Sequence, residues 1–117
     1  MAEEKEFEKK VKKYLKDKGC WILKTWSNGV QQKGTPDLLA CCNGYFLAVE
    51  LKANNGKATK LQMHKIEEIR KAGGVALVIY PDTFEAFKIL VNSICEQETN
   101  DFLFNYQWIF DSEVKVK

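Results

Sequence analysis

Two short stretches of the sequence decide the fold: GTPDLL at residues 34–39 and AVELK at residues 48–52. Residues 45–53 alternate with a period of two, which predicts a β-strand with Glu50 and Lys52 on the same face. Their Cα atoms would then lie roughly 6.5 Å apart. We therefore expect a carboxylate and an amine side by side near the end of this strand.

A tight turn is predicted between the two stretches. Residues 37–42 form an earlier strand-like run, and the dipeptide Asn43-Gly44 that follows is a strong signal for a two-residue β-hairpin. An antiparallel hairpin of this kind brings Asp37 beside the charged residues of the second strand. The sequence thus predicts two carboxylates and one amine at one end of a hairpin.

These residue types suit metal-dependent hydrolysis of phosphodiesters. Magnesium prefers carboxylate and carbonyl oxygens and is often held by one or two carboxylates together with water and substrate phosphate, which Asp37 and Glu50 can supply. The metal lowers the pKa of a bound water and offsets charge on the phosphate, and the Lys52 ammonium adds a further positive charge. Glu50 also interrupts an apolar run, so we expect it to be partly buried and to need a partner.

Each of the three residues also has an ordinary structural explanation. Asp37 follows a proline and can bond to its own backbone in a turn. Glu50 and Lys52 can form a solvated strand face. The three residues taken together favour the functional interpretation.

The same residues resemble a known nuclease pattern. Pro36-Asp37, twelve further residues and then Glu50-Leu51-Lys52 resemble the PD-(D/E)XK nucleases, and residues 34–62 look like the stand-alone phage and prophage members of the virus-type replication-repair nuclease (VRR-NUC) family. The resemblance covers about residues 4–81. It implies an α/β fold with a restriction-endonuclease-like core, in which a central mixed β-sheet is flanked by α-helices.

The resemblance also implies an activity, namely that of a magnesium- or manganese-dependent DNA endonuclease. Asp37, Glu50, the Leu51 carbonyl and a glutamate of the first helix would hold the metal, Lys52 would assist attack, and Gln62 would orient water or phosphate. The phage-type members imply branched DNA such as a Holliday junction. Two other classes stay open: a nucleic-acid-binding module without catalysis, and an accessory protein that binds a partner.

The first helix is predicted over residues 3–18, from an apolar stripe centred on Phe7 and Val11. Glu4 lies about 35° from the centre of this stripe and Glu8 about 75°. Glu4 is thus the acid that most nearly faces inward, and the resemblance implies a metal ligand at this place. An acidic residue near a helix start also complements the helix dipole, and the choice between Glu4 and Glu8 stays open.

A second helix is predicted from Thr59 to Ala72. Thr59 and Gln62 match a capping box, which is an ordinary structural role. Gln62 also shares a helix face with Ile66, so its side chain should face the sheet and the carboxylates. The resemblance places a glutamine of the active site here.

Positive charge is concentrated in the part of the chain that carries the motif. Residues 1–81 hold 15 Lys and Arg against 9 Asp and Glu, whereas residues 82–117 hold 3 against 7. A basic surface suits a polyanion such as DNA. The candidate phosphate contacts are Lys24, Lys33 and Lys60, and Trp26 is a candidate for stacking on a base, with solvated lysines and a core tryptophan as the alternatives.

A length of 117 residues fits a single nuclease domain, 1–117. No apolar run approaches the roughly 20 residues of a membrane span, and the N-terminus has no apolar signal core. We therefore expect a cytoplasmic protein, in a bacterial host if it is phage-encoded as the resemblance implies. The four cysteines lack metal-site spacing and are expected to be reduced, buried thiols, and His64 is expected to be an ordinary surface residue.

Residues 20–25 are predicted as a first strand, and the segments after the second helix as a strand, a helix and a further strand. Residues 75–80 are wholly apolar, as expected for a central buried strand. Asp82 and Glu85 match a second capping box, which would open a helix to about Cys95. The aromatic run at residues 102–110 alternates like a strand.

Assembly follows from the implied substrate. Resolving a four-way junction requires two opposed cuts, and a two-fold homodimer supplies them by repeating one site. Strand edges and the apolar residues 102–110 are the candidate interface. The alternative is that this segment packs over its own sheet.

Overall fold

The computed structural model describes residues 2–25, 33–96 and 101–117. In chain order the elements are α1 (Ala2–Asp17), β1 (Trp21–Lys24), β2 (Leu38–Cys42), β3 (Tyr45–Leu51), α2 (Lys60–Lys71), β4 (Val75–Ile79), a 3-10 turn (Pro81–Thr83), α3 (Phe84–Cys95) and α4 (Asp101–Asp111).

Four strands of the described residues form one mixed sheet in the order β1-β2-β3-β4. β1, β2 and β3 pair antiparallel, and β4 pairs with β3 in parallel. Buried side chains of α1, α3 and α4 pack on one face, and those of α2 pack on the other. The predicted α/β architecture, a mixed sheet flanked by helices, is confirmed.

The hairpin between β2 and β3 turns at Asn43 and Gly44, as predicted. The φ angle is 51° at Asn43 and 86° at Gly44, and positive values at both central positions fit a two-residue type I′ turn. The side-chain amide of Asn43 donates through Nδ2 to the Ile94 carbonyl at 3.0 Å, which ties the turn to α3. At the other end of the hairpin Leu38 pairs with Val49.

β4 lies at the edge of this sheet, so the prediction of a central strand is wrong. Its five residues are buried because helices cover both faces, not because strands lie on both sides. The N–H of Ala76 donates to the Tyr106 hydroxyl at 3.1 Å, and its carbonyl accepts from Arg70 Nε at 2.9 Å. Side chains from α4 and α2 thus bond to the backbone of Ala76 at the open edge of the strand.

The aromatic run at residues 102–110 lies in α4, and the prediction of a strand there is wrong. Tyr106 and Phe110, four residues apart, are buried against the rest of the protein, as expected for one face of a helix. Trp108 lies on the other side and is 78% exposed. For Tyr106 and Phe110, the alternative of packing within the same chain is the correct one.

The predicted capping box of Asp82 and Glu85 is also wrong. A 3-10 turn comes first, and the Tyr80 N–H donates to the Thr83 hydroxyl at 3.0 Å. The Asp82 carboxylate accepts instead from the Asn54 side-chain amide at 3.2 Å. α3 therefore begins only after this turn.

Within the described parts of the chain, none of the helices combines the length and the apolar character that crossing a membrane requires.

Candidate active site

Asp37 and Glu50 lie together at the end of the β2–β3 hairpin that is farthest from its turn. Asp37 directly precedes β2, and Glu50 is the penultimate residue of β3. The last paired position of the two strands is Leu38 with Val49, so the next position sets the two carboxylates opposite each other. The Leu51 N–H donates to Asp37 Oδ2 at 2.9 Å. The hairpin thus brings the two predicted carboxylates to one place.

Lys52 adds the predicted amine. Its Nζ lies 3.4 Å from Glu50 Oε2, and its side chain is only 15% exposed. The Lys52 N–H donates to the Ile79 carbonyl at 3.1 Å, which fixes the backbone just beyond β3. Gly56 leaves room for this side chain, because a Cβ there would lie 3.2 Å from the Lys52 Cβ and 3.1 Å from the Ala53 carbonyl oxygen.

Gln62 belongs both to a capping box and to the site. The Gln62 N–H donates to the Thr59 hydroxyl at 3.0 Å, and Gln62 Oε1 accepts from the Thr59 N–H at 2.9 Å. Because the capping box occupies Oε1, the amide nitrogen points away from the cap, and Nε2 donates to Glu50 Oε2 at 3.0 Å. The predicted capping box is therefore confirmed, and the cap itself orients the amide as a donor to Glu50.

Gly34 packs the approach to Asp37 against the first turn of α2. Its φ angle is 83°, and a Cβ would lie 2.8 Å from Leu61 Cγ and 3.1 Å from the Leu61 carbonyl oxygen. Only glycine fits both this conformation and this contact. Sequence reasoning missed this role because, although the glycine stands in the motif, its partner lies far along the chain.

Glu50 is the most unusual charged group of the site. It is 3% exposed, and its Oε1 is buried without a hydrogen-bond partner among the residues that the structure describes. Burial and then the negative charge of Asp37 raise the pKa of Glu50 to about 8, against the opposing effect of Lys52. An ionised oxygen left unpaired in the interior is costly, and a divalent cation would satisfy it. Carboxylate oxygens are also donors that magnesium prefers.

Comparison with known proteins identifies the family. The family model for the archaeal Holliday junction resolvase (hjc) matches residues 2–105. The chain belongs to this family. A solved structure of Hjc, a Holliday junction resolvase from the archaeal hyperthermophile Archaeoglobus fulgidus, is similar with a TM-score of 0.50 and 24% sequence identity, over 65% of this chain and 67% of that chain. The structural likeness shows a shared fold, and no curated protein sequence matches the chain.

A member of the Holliday junction resolvase family is a structure-specific DNA nuclease, so the prediction of a DNA endonuclease is confirmed. The predicted restriction-endonuclease-like fold is confirmed as well, by the likeness to the Archaeoglobus enzyme. The family match runs into α4, beyond residue 81, where the resemblance found in the sequence ends.

In this resolvase-family chain the acids of α1 do not form a group of three ligands with Asp37 and Glu50 among the described residues. Among the residues that the structure describes, no three acidic, histidine or cysteine side chains form a group that could hold a metal ion. Glu4, the predicted helical ligand, is half-buried outside any such group. Glu8 is occupied by Lys24 at 2.6 Å and by Lys12 at 3.6 Å. The carboxylates that converge are those of Asp37 and Glu50.

The lysines predicted to contact DNA differ in exposure and in whether a carboxylate already pairs with them. Lys24 is half-buried and donates to Glu8, so its charge is already paired. Lys33 and Lys60 are exposed. Trp26 lies outside the described residues.

Proposed function

We propose that this chain is a magnesium- or manganese-dependent endonuclease that cuts Holliday junctions, with Asp37 and Glu50 as metal ligands. One observation carries the proposal. The Glu50 carboxylate is buried beside Asp37 with one oxygen that has no partner among the described residues. An uncompensated buried carboxylate destabilises a fold, and a bound cation would remove this cost.

When bound, the metal ion would lower the pKa of a water and offset the charge that develops on the phosphate. Asp37 and Glu50 would hold it, and the predicted further ligands are the Leu51 carbonyl and Glu4. Water and substrate phosphate commonly complete the coordination of magnesium. The proposal therefore does not depend on a third protein carboxylate.

Lys52 and Gln62 have different proposed roles. The Lys52 ammonium, held beside Glu50, would compensate negative charge at the attacked phosphate. Gln62 donates to Glu50 and would orient that carboxylate and, through it, the water or phosphate at the site. Because its own orientation is set by the cap of α2, Gln62 needs no rearrangement to do so.

Lys33 and Lys60 are proposed to contact DNA phosphates near this site. Lys33 adjoins Gly34, which packs on the first turn of α2, and Lys60 belongs to that turn. Lys24 would join them only by leaving Glu8. Each phosphate contact that is neutralised should contribute to a salt-dependent affinity.

The proposed activity is tested with a panel of single-stranded, duplex, flap and four-way-junction DNA, with and without magnesium or manganese. We expect cleavage of the four-way junction that requires the metal and is lost with a chelator. Binding of the junction without cleavage under any metal would instead support the non-catalytic module. Equal cleavage of all four substrates would contradict junction specificity.

We further propose that the enzyme acts as a homodimer, because paired cuts require two sites. The best candidate interface is an exposed apolar sheet surface, called the Trp21 face, made of Trp21, Leu23, Cys41 and Phe46. Trp21 pairs with Cys41, which pairs with Phe46, so these residues share one face of the sheet. Trp21 is 64% exposed and Phe46 47%, and Cys41, expected to be buried, is exposed too.

Two apolar surfaces thus compete for the dimer interface, the Trp21 face and Trp108 of α4. Among the side chains of α4 that the structure describes, at residues 105–111, Trp108 is the exposed aromatic one and its neighbour Gln107 is polar and exposed, whereas the Trp21 face is a contiguous apolar patch and therefore the better interaction surface. Changing Trp21 and Phe46 together to Ser should halve the mass measured by light scattering and convert paired junction cleavage into single nicks. The matched variant Trp108→Ser should remain dimeric. Wild-type protein that is monomeric at micromolar concentration and still makes paired cuts would refute the dimer.

The remaining parts of the proposal concern context. We propose that residues 1–117 act as one nuclease domain inside the cell. The closer likeness to the VRR-NUC family, with a phage or prophage origin, stays a prediction, and a neighbouring set of phage genes around the coding sequence would support it.

A further inference from the structure

Thr25 lies directly after β1 and is buried. Its hydroxyl shares its proton between two backbone carbonyls, those of Pro36 at 2.8 Å and Asp37 at 3.1 Å. Its N–H also donates to the Asp37 carbonyl, at 2.9 Å. Thr25 thus holds the backbone of Asp37 with both its main chain and its side chain.

The Asp37 side chain is held separately, from β3. The Leu51 N–H donates to one carboxylate oxygen at 2.9 Å. With the backbone fixed on one side and this oxygen on the other, the direction of the second carboxylate oxygen is determined. A carboxylate that shares an ion with Glu50 needs such a fixed direction, since small displacements at a metal site cost affinity and rate.

Thr25 also lies where β1 ends and the connection to Asp37 begins. It immediately precedes residues 26–36, which connect β1 to the site, and Asp37 immediately follows them. The bonds between Thr25 and Asp37 therefore close the base of this connection. Asp37 is thus anchored directly to the end of β1.

We infer that Thr25 is a positioning residue of the metal site, which acts through Asp37 and not on the substrate. The hydroxyl holds the Pro36 and Asp37 carbonyls so that the Asp37 carboxylate is directed at the ion shared with Glu50. The consequence for metal binding rests on the proposed function, whereas the effect on Asp37 itself can be measured without metal. Sequence analysis assigns Thr25 no role, because a threonine at a strand end is ordinary until Pro36 is known to lie beside it.

Three variants test this role. Thr25→Val removes the hydroxyl and keeps the branched shape, and Thr25→Ser keeps the hydroxyl. The control is Ser93→Ala, which removes another buried hydroxyl, one that donates to the Ile89 carbonyl within α3. The two measurements are the NMR shift and hydrogen exchange of the Leu51 amide in metal-free protein, and the manganese concentration that gives half-maximal binding.

We expect Thr25→Val to shift the Leu51 amide resonance, to speed its exchange and to raise the manganese midpoint about tenfold, as for the loss of a residue that orients a metal ligand. Thr25→Ser should restore both values to near wild type. Ser93→Ala should lower the melting temperature without changing either measurement.

Two results would overturn the inference while leaving the proposed function intact. One is a Leu51 amide that does not change in Thr25→Val. The other is a Leu51 amide that changes while the manganese midpoint does not, which would make Thr25 a residue of the fold alone. A wild-type protein that binds no manganese and cuts no junction would overturn the proposed function together with the inference, and is recognised because the wild type fails as well.

Discussion

Arg70 and Glu50 are two buried ionisable side chains whose hydrogen bonding differs. The Arg70 guanidinium donates to both oxygens of Asp111, at 2.8 and 3.0 Å, and to the Ala76 carbonyl at 2.9 Å. A bidentate pair of this kind, with Nε bonded as well, recovers much of the cost of burial. The Arg70 cluster therefore joins α2, α4 and the edge of β4.

The Glu50 cluster is left incomplete. One oxygen receives Lys52 at 3.4 Å and Gln62 at 3.0 Å, whereas the other has no partner among the described residues. Asp37 adds a second negative charge, which together with burial raises the pKa of Glu50 to about 8. Burial of an ionisable group alone therefore does not indicate a binding site. A buried ionisable group with an oxygen that lacks a hydrogen-bond partner is available to a ligand.

Removal of either carboxylate of the incomplete cluster should have the largest effect on activity. Asp37→Asn and Glu50→Gln should each lower magnesium-dependent junction cleavage by about a thousandfold or more, because the metal loses a charged ligand. Both variants should remain folded by circular dichroism. Asp111→Asn, which removes a carboxylate from the complete cluster, is the matched control and should keep its turnover. Activity within about tenfold of wild type in either site variant would contradict the assignment of Asp37 and Glu50 as metal ligands.

Lys52→Ala separates turnover from metal binding. We expect turnover to fall about a hundredfold, because a positive charge near the reacting phosphate is lost. The metal concentration for half-maximal activity should stay nearly unchanged, because Lys52 is not a ligand. Lys65→Ala, which removes a lysine paired with Glu68 on α2, serves as the control. A large shift in the metal midpoint would contradict the proposed division of roles.

The complete cluster should matter for stability and not for chemistry. Asp111→Asn leaves the buried Arg70 poorly paired, so the free energy of unfolding should fall by about 2–3 kcal/mol. The melting temperature should fall by several degrees in calorimetry. Glu67→Gln, which removes the exposed partner of Arg70, should have little effect. Equal losses in the two variants would show that the bidentate pair is not special.

The incomplete cluster should show itself as a pH effect on stability. The pKa of Glu50 is about 8 in the fold against an ordinary 4.5, so the folded protein holds a proton that the unfolded chain has lost. Between these values the contribution of Glu50 to stability therefore falls as pH rises. The contribution changes by about 3 kcal/mol between pH 5 and pH 8, so the melting temperature of Glu50→Gln should gain on that of wild type by roughly ten degrees over this range. Magnesium or manganese should raise the melting temperature of wild type but not of Asp37→Asn, and no metal effect in wild type would count against the site.

The site was predictable because its geometry is local. The turn at Asn43-Gly44 and the period of two in β3 are enough to set Asp37 opposite Glu50, with Lys52 on the same face. Gln62 was predictable because helical spacing places it toward the sheet.

The errors concern contacts between distant parts of the chain. The aromatic residues of α4 favour strands by local preference, and their helix is stabilised by burial of Tyr106 and Phe110 against elements formed earlier in the chain. Tyr106 also bonds to the open edge of β4. Because helices cover this strand, all its residues can be apolar, and its composition is then the same as that of a central strand. Asp82 bonds to Asn54 and not to its own helix, and no local pattern signals this.

The sequence of the hairpin turn affects the chemical stability of this enzyme. Asn-Gly is the dipeptide most prone to deamidation, because the backbone nitrogen that follows asparagine can attack its side chain and leave an isoaspartate with one extra main-chain carbon. Here the turn fixes the backbone, and the side-chain amide of Asn43 is held by the Ile94 carbonyl. An inserted carbon would change the register that sets Asp37 opposite Glu50. Chemical damage at one end of the hairpin would thus disable the site at the other, and the turn that aligns the carboxylates also protects that alignment over time.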